Sequence, residues 1–323
     1  MSDHTETTAI RFHEYGEPSD VLRMEQVVVP DPDPGRIRVV VHACGLNPAD
    51  WALCRGLFAG KLPRGIGLEL SGTVDAVGEG VTDVAVGDRV LGSADFAGGY
   101  SAGAADRATM NNWARIPAGL DPVHAAALPM AVETAYRSLE GLGAKAGHAV
   151  LVNGAGTTVG FAAVQIALIR GARVFATAGD TYAERLRALG ATVTSYGDGM
   201  AEHVIEAADG PVDLVLNTAP VSGVLPDLVR IAGGDPRRVL TVSDFAAASE
   251  LGVRSSFDED QPQSLRYDVL GEYAQRAADG QFSIPVARTF ALEDWRTALE
   301  ISQSGHARGK LVLIPGDATV GSS

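Results

Sequence analysis

The stretch Val150-Leu151-Val152-Asn153-Gly154-Ala155-Gly156-Thr157-Thr158-Val159-Gly160 constrains this chain more than any other. A β-branched run passes through glycines directly into a helical pattern, Thr158 to Ile169, and a second β-branched run, Arg173 to Thr177, follows. Small residues at such a turn let the backbone approach a phosphate, and the helix N-terminus supplies N–H donors and a partial positive charge. The spacing is G-x-G-x-x-x-G where the dinucleotide fingerprint is G-x-G-x-x-G, but the strand–turn–helix–strand setting is the one the chemistry requires. The segment therefore reads as a nucleotide-binding turn. Alternation continues with helix Ala183 to Leu189, strand Val212 to Asn217, helix Leu225 to Ile231 and strand Arg238 to Ser243. That series predicts a parallel, doubly wound α/β sheet.

Residues 1 to 120 have a different texture. Val27-Val28-Val29 stops at Pro30, Asp31 to Gly35 is a turn cluster, and Ile37 to His42 is another β-branched run. Gly72 to Gly78 and Asp88 to Gly92 continue the pattern, so a mostly antiparallel β domain is expected. Asp121-Pro122 is a helix start, and the pattern predicts one helix from there to Leu142. A helix near Asp294 to Ser302 and a strand, Gly309 to Ile314, close the chain, the strand expected to return to the β domain. The 323 residues suggest two domains at roughly 150 residues each. The partition read here is 1–127 with 266–323 for the β-rich domain and 128–265 for the α/β domain.

Composition excludes several classes of function. With 46% hydrophobic and 20% charged residues the chain is neither fibrous nor disordered. A net charge of −14 repels phosphate backbones and anionic lipid, so neither nucleic acid nor a membrane surface is expected as a partner. The longest apolar tract, Ala149 to Ile169, is broken by Asn153, glycines and Gln165, and Met1 to Thr8 carries Asp3 and Glu6 where a signal peptide would be basic, then apolar. With only Cys44 and Cys54 as cysteines, the reading is a cytoplasmic protein. The seven histidines, His4, His13, His42, His124, His148, His203 and His306, form no metal-binding spacing, and no metal is expected.

Two local signals leave alternatives open. Asp180, just after the second parallel strand with Thr177, is placed to meet an adenosine ribose, where an acid favours the NAD diol over an NADP 2′-phosphate; it is equally placed to cap the next helix. Gly99-Tyr100-Ser101-Ala102-Gly103 matches the nucleophile elbow of serine hydrolases. That elbow needs a buried strand before the serine and a helix after it, whereas Ser93 to Gly98 is loop-like.

Taken together, the chain resembles the medium-chain dehydrogenase/reductase superfamily and, within it, the zinc-free quinone oxidoreductase branch. The carrying residues are Gly45-Leu46-Asn47-Pro48-Ala49-Asp50-Trp51, Gly67-Leu68-Glu69-Leu70-Ser71-Gly72, Val77-Gly78, Val86-Gly87-Asp88-Arg89-Val90, Ala127-Leu128-Pro129, Thr134-Ala135-Tyr136, the glycine turn, and Arg308-Gly309-Lys310-Leu311-Val312-Leu313. The resemblance implies a Rossmann domain beside a GroES-like substrate domain, with substrate bound in a cleft between them. It implies NADPH as cofactor, with NADH possible because Tyr182 stands where many members carry a lysine for the 2′-phosphate. A quinone or α,β-unsaturated carbonyl as hydride acceptor and a homodimer are also implied. Zinc members of the superfamily have a cysteine at Asn47 and a histidine at Leu68, so the catalytic zinc is expected to be absent.

By the same resemblance Gly156, Thr157, Thr158, Val159 and Gly160 hold the pyrophosphate, and Asn47, Thr134 and Tyr136 lie toward the nicotinamide. Tyr196, Asn217, Thr218, Val242, Ser243 and Lys310 match further cofactor-contacting segments, Tyr182 stands at the 2′-phosphate position, and Thr177 and Asp180 are read, from their place at the end of the second parallel strand, as facing the adenosine ribose. Asn47 and Tyr100 are the candidate catalytic residues, either able to hydrogen-bond a substrate oxygen, and Trp51, Phe58, Phe96 and Phe245 are expected to give the cleft an apolar lining. A nucleotide-binding protein without turnover, of crystallin-like or regulatory role, is the alternative; a serine hydrolase using Ser101 is the third reading.

Overall fold

A computed structural model describes residues 5–97, 101–257 and 264–316. Tyr100, one of the two candidate catalytic residues, lies outside the described residues. The chain forms two compact units, Met1–Met130 with Tyr267–Ser323, and Ala131–Arg266.

The first unit begins with β1 (Thr5–Phe12), α1 (Pro18–Val21), β2 (Leu22–Val29), β3 (Ile37–Leu46), α2 (Pro48–Cys54), β4 (Arg64–Gly65), β5 (Glu69–Val77), β6 (Arg89–Ala94), β7 (Arg107–Arg115) and α3 (Pro122–Ala126). Strands β2-β1-β4 form an antiparallel sheet. Strand β3 pairs antiparallel with β5 and β7, and β6 lies between those two, so the four close on themselves. Ile37, Val39, Val41, Leu70, Val74, Val90 and Met110 fill the interior of this closed set. A second core gathers Ile10, Phe12, Trp51, Leu53, Ile66, Trp295 and Leu313. Trp51, expected to line a cleft, belongs to that core: its ring is 2% exposed and its Nε1 donates to Ser302 Oγ at 2.8 Å.

The second unit opens with α4 (Pro129–Gly141) and continues β8 (Ala149–Asn153), α5 (Thr158–Ile169), β9 (Arg173–Thr177), α6 (Asp180–Leu189), β10 (Thr192–Thr194), α7 (Met200–Ala208), β11 (Leu214–Asn217), α8 (Leu225–Ile231), β12 (Val239–Thr241), α9 (Phe245–Leu251) and β13 (Arg254–Ser255). Its parallel sheet runs β10-β9-β8-β11-β12-β13, two three-stranded halves with the order reversing between β8 and β11. In such sheets ligands bind outside the carboxyl ends of the strands at that reversal. Helix α5 is apolar on every side and buries Phe161, Val164 and Ile166, which locks its N-terminus against the sheet. The chain then returns to the first unit through α10 (Leu270–Ala278), β14 (Val286–Ala291), α11 (Trp295–Gln303) and β15 (Lys310–Ile314). As the pattern predicted, β15 pairs with β3, antiparallel, with Leu313 opposite Cys44.

The single helix expected over 121–142 is two. Asp121 caps α3, accepting from the N–H groups of Val123 and His124 at 3.0 and 3.1 Å. The helix stops at Ala126, and Pro129, with no N–H to donate, can only begin a new one. The break coincides with the passage from one unit to the other.

Candidate functional site

Gly154 stands at φ +79°, the left-handed region, and a Cβ on it would lie 2.5 Å from the Ala219 nitrogen. A Cβ on Gly160 would lie 2.3 Å from the Gly154 carbonyl oxygen, so only glycine lets the first turn of α5 press against the end of β8. Thr157 is the N-cap: its Oγ1 accepts from the Gly160 N–H at 2.9 Å and bonds to Thr218 Oγ1 at 3.1 Å. Thr218 in turn donates to the carbonyls of Asn153 and Gly154, each at 2.9 Å. The cap leaves the N–H groups of Thr158 and Val159 at the open end of a twelve-residue helix, where no intrahelical carbonyl serves them. This is a cradle for an anionic oxygen.

A polar ladder across the carboxyl ends of β9, β8, β11 and β12 holds the cradle. Thr177 Oγ1 donates to Asn153 Oδ1 at 2.6 Å, Asn153 Nδ2 to Asn217 Oδ1 at 2.8 Å, and Asn217 Nδ2 to Thr241 Oγ1 at 3.0 Å. Thr177 also accepts from the Gly154 N–H at 3.0 Å. Its fully buried hydroxyl thus sets the turn, whereas its place at the end of the second strand predicts a direct cofactor contact. Asn153 and Thr241 were not singled out from sequence, although the one-residue-per-strand-end pattern was there to read. Val242 donates its N–H to the Asn217 carbonyl at 3.0 Å and Ser243 Oγ donates to the Ala219 carbonyl at 2.6 Å, bringing both to the same strand ends.

Beside the cradle, a Cβ on Gly156 would lie 3.3 Å from Tyr182 Cδ2, and one on Gly179 would lie 3.3 Å from the Tyr196 hydroxyl. Tyr182, Gly179 and Tyr196 therefore flank the turn. Asp180 does not cap α6; Gly179 is the N-cap and Asp180 sits inside the first turn, with its carboxylate near the positive end of the helix.

Two expected cofactor residues have other partners. The Tyr136 ring is covered by the guanidiniums of Arg170, 4.2 Å from its centroid, and Arg266, at 4.8 Å. Arg170 is the C-cap of α5, and twelve residues at 1.5 Å each put it about 18 Å from the glycine turn. Thr134, two positions earlier on α4, points to a different side of that helix and bonds to Glu133 at 3.4 Å. Lys310 is 1% exposed, and its ammonium donates to Glu69 and, at 2.6 Å, to Asn47 Oδ1. That places Lys310 in the other unit's interior, with its charge already matched.

Asn47, the remaining candidate catalytic residue, is fixed from both ends. Its Oδ1 faces the donor-only Lys310, and its Nδ2 donates to Glu69 Oε1 at 2.9 Å. The second Nδ2 proton is left over. Glu69 Oε2 accepts the Met130 N–H at 2.7 Å, and a Cβ on Gly45 would lie 2.6 Å from Glu69 Oε1, so the glycine opposite Glu69 makes room for the cluster. Asp50 completes it with no exposure at all, accepting from the N–H groups of Asn47, Gly67 and Leu68 at 2.8, 2.7 and 2.9 Å.

Burial pushes the Asp50 carboxyl up to about 6 from 3.8, against the pull of those three N–H donors. The folded chain thus keeps this proton to higher pH than the unfolded chain. Stability from Asp50 is full below about pH 4 and is lost as pH rises to about 6, by roughly 3 kcal/mol. The Tm advantage of wild type over Asp50→Asn is expected to shrink between pH 4 and pH 7; a pH-independent difference rejects the assignment. Burial also pushes the Cys54 thiol up to about 12 and raises the Cys44 thiol, so neither is a nucleophile.

These donors do not suit zinc. Leu68 is aliphatic, Asn47 is a poor ligand, and Lys310 already places a cation in the cluster. Among the described residues no group of three His, Cys, Asp or Glu side chains is placed to hold a metal ion. The hydrolase reading fares no better. Ser101 is buried, its Oγ donates to the Arg107 carbonyl at 2.6 Å, and β7 rather than a helix follows it. No helix among the described residues is long and apolar enough to cross a membrane.

A parallel sheet of this order, a glycine-lined helix N-terminus and a separate closed β unit define a two-domain nucleotide-binding dehydrogenase or reductase fold. Residues 33–118 match the alcohol dehydrogenase GroES-like domain and residues 189–313 the zinc-binding dehydrogenase domain. The chain is 33% identical over 243 residues to a quinone oxidoreductase of Rattus norvegicus, spanning 72% of each protein. It is 39% identical over 183 residues to that of Lama guanicoe, covering 55% of this chain and 54%, about half, of that relative. The solved quinone oxidoreductase of Coxiella burnetii superposes with a TM-score of 0.80 at 27% identity, covering 96% of this chain and 99% of that one. The chain belongs to the medium-chain dehydrogenase/reductase superfamily, and its relatives there include quinone oxidoreductases.

Proposed function

We propose that this protein is an NAD(P)H-dependent, zinc-independent reductase that delivers hydride to a quinone or to the β-carbon of an α,β-unsaturated carbonyl. The observation that carries the reading is the Gly154–Gly160 cradle with its Thr157 cap at the sheet reversal. A nicotinamide cofactor, when bound, supplies the hydride. In this reading Gly156, Thr157, Thr158, Val159 and Gly160 bind the pyrophosphate, Asn217, Thr218, Val242 and Ser243 border it at the strand ends, and Asp180, Tyr182 and Tyr196 face the adenosine ribose. Asp180 and the missing lysine at Tyr182 favour NADH more than the family habit of NADPH would suggest.

Asn47 takes the part of electrophile. Lys310 at Oδ1 draws electron density from the amide, and Glu69 fixes its rotamer, so the remaining Nδ2–H is presented to a substrate oxygen. Solvent supplies the proton that completes reduction. The test is loss of reduced-cofactor absorbance with NADPH and then NADH, chelator present, against one simple quinone and one enone. Turnover that survives chelation is expected. Measurable cofactor binding with no turnover on either acceptor would overturn the reading in favour of a non-catalytic nucleotide binder.

A further inference from the structure

Asn153-Gly154 is the one Asn-Gly pair in the chain, and it stands where β8 ends and the glycine turn begins. Asparagine followed by glycine is chemically labile, because a residue without a Cβ lets its backbone nitrogen reach the preceding carboxamide. In that reaction the Gly154 nitrogen bonds to Asn153 Cγ and gives its proton to solvent, the Cγ–Nδ2 bond breaks, and Nδ2 leaves as ammonia. Water then opens the five-membered imide at either carbonyl. The product is aspartate, or its isomer with the main chain running through the side chain. Only water is consumed, so no ligand has to reach the buried Asn153 side chain.

In the folded chain every group that must move is tied. The fully buried Thr177 hydroxyl holds both reacting partners, accepting the Gly154 N–H at 3.0 Å and donating to Asn153 Oδ1 at 2.6 Å. The leaving nitrogen, Asn153 Nδ2, donates to Asn217 Oδ1 at 2.8 Å. The Asn153 carbonyl accepts from the N–H and the Oγ1 of Thr218, each at 2.9 Å. To bring Cγ onto the Gly154 nitrogen, the carboxamide must turn away from both of its partners and break a connected buried network. The product does not fit the turn. Asn153 accepts at one end of the ladder and donates at the other, whereas a carboxylate only accepts and faces Asn217 Oδ1 with no hydrogen to offer. It also buries a negative charge beside the anion cradle. The isomer adds a methylene to the backbone next to Gly154, where a Cβ would already lie 2.5 Å from the Ala219 nitrogen.

We propose that Asn153-Gly154 is a self-modification site at which deamidation ends nucleotide binding, and that the Thr177 hydroxyl holds it shut in the folded protein. The loss of binding rests on the reductase reading, which puts the cofactor at this turn; the chemistry at Asn153 stands apart from it. The full chain is incubated at mildly alkaline pH as wild type, Thr177→Val, Thr177→Ser and Thr241→Val. Samples are read by intact mass, by peptide mapping for aspartate and isoaspartate in place of Asn153, and by fluorescence titration of NADH. Thr177→Val, which keeps the shape without the hydroxyl, is expected to deamidate at Asn153 at least about tenfold faster than wild type, the size expected when restraining hydrogen bonds are lost. Thr177→Ser restores the hydroxyl and the slow rate. Thr241→Val cuts the ladder at Asn217 and leaves both Thr177 bonds in place, so it deamidates more slowly than Thr177→Val even where its Tm is as low. In every sample NADH binding falls in proportion to the deamidated fraction.

Equal rates in wild type and Thr177→Val overturn the proposal, as does a rate that follows Tm alone across the four proteins. Deamidated chains that bind NADH like the unmodified protein overturn the consequence assigned to the site. These failures leave the reductase reading standing. Fresh wild type that binds neither NADH nor NADPH overturns that reading and the loss of binding with it, while the rates still decide the part played by Thr177.

Discussion

Thr157→Glu is expected to abolish binding of both NADPH and NADH, with affinity falling at least about a hundredfold, close to 3 kcal/mol. The substitution puts a carboxylate where the open N–H groups of Thr158 and Val159 and the helix dipole favour an anion, so it competes with a pyrophosphate for the same donors and repels it. It also removes the bond from Thr157 Oγ1 to the Gly160 N–H, a lost cap costing about 1 kcal/mol. The Tm should therefore drop by only roughly 2–4 °C. Thr157→Ser keeps the hydroxyl and should bind like wild type. Fluorescence titration of reduced cofactor checks all three proteins. Unchanged affinity in Thr157→Glu would remove the site from the glycine turn.

Lys310→Met is expected to be the most destabilising change in the β-rich unit. It strands Glu69, with no exposed surface, among Asn47, Met130 and the core, and removing one partner of a buried pair costs about 3–5 kcal/mol. Thermal unfolding should show the Tm falling by roughly 10 °C. Adding Glu69→Gln to Lys310→Met removes the orphaned charge, and the double variant should recover most of the loss. A single variant within 2 °C of wild type, or a double variant that falls further, would contradict the burial of the pair as an energetic unit.

Most of the α/β unit was legible in the sequence. Strands β8 and β9 and helices α5 and α8 fall on the residues predicted, because parallel strands covered on both faces read as unbroken β-branched runs and α5 reads as an unbroken apolar helix. Short elements were not legible. Strands β10 and β13 are three and two residues long, and α7 is charged on its outer side and begins after Gly197 and Gly199, which look like a loop. The single helix predicted across 121–142 failed at Pro129, where a helical composition on both sides hid the break.

The candidate site divides in the same way. Gly154, Gly156, Gly160 and Thr157 were readable because the turn is local: every group that shapes it lies within a few residues or at the end of an adjacent strand. The partners of Tyr136 and Lys310 were not readable because their surroundings are set at long range. Tyr136 meets Arg266 across 130 residues of chain, and Lys310 meets Asn47 only because β15 returns to lie antiparallel on β3. Sequence by itself determined where the longer strands and helices of the α/β unit lie and that a glycine turn joins β8 to α5, since those follow from side-chain periodicity and glycine stereochemistry. Only the tertiary structure decided which charges are buried together, because pairing energies depend on strand register and desolvation that no single segment encodes.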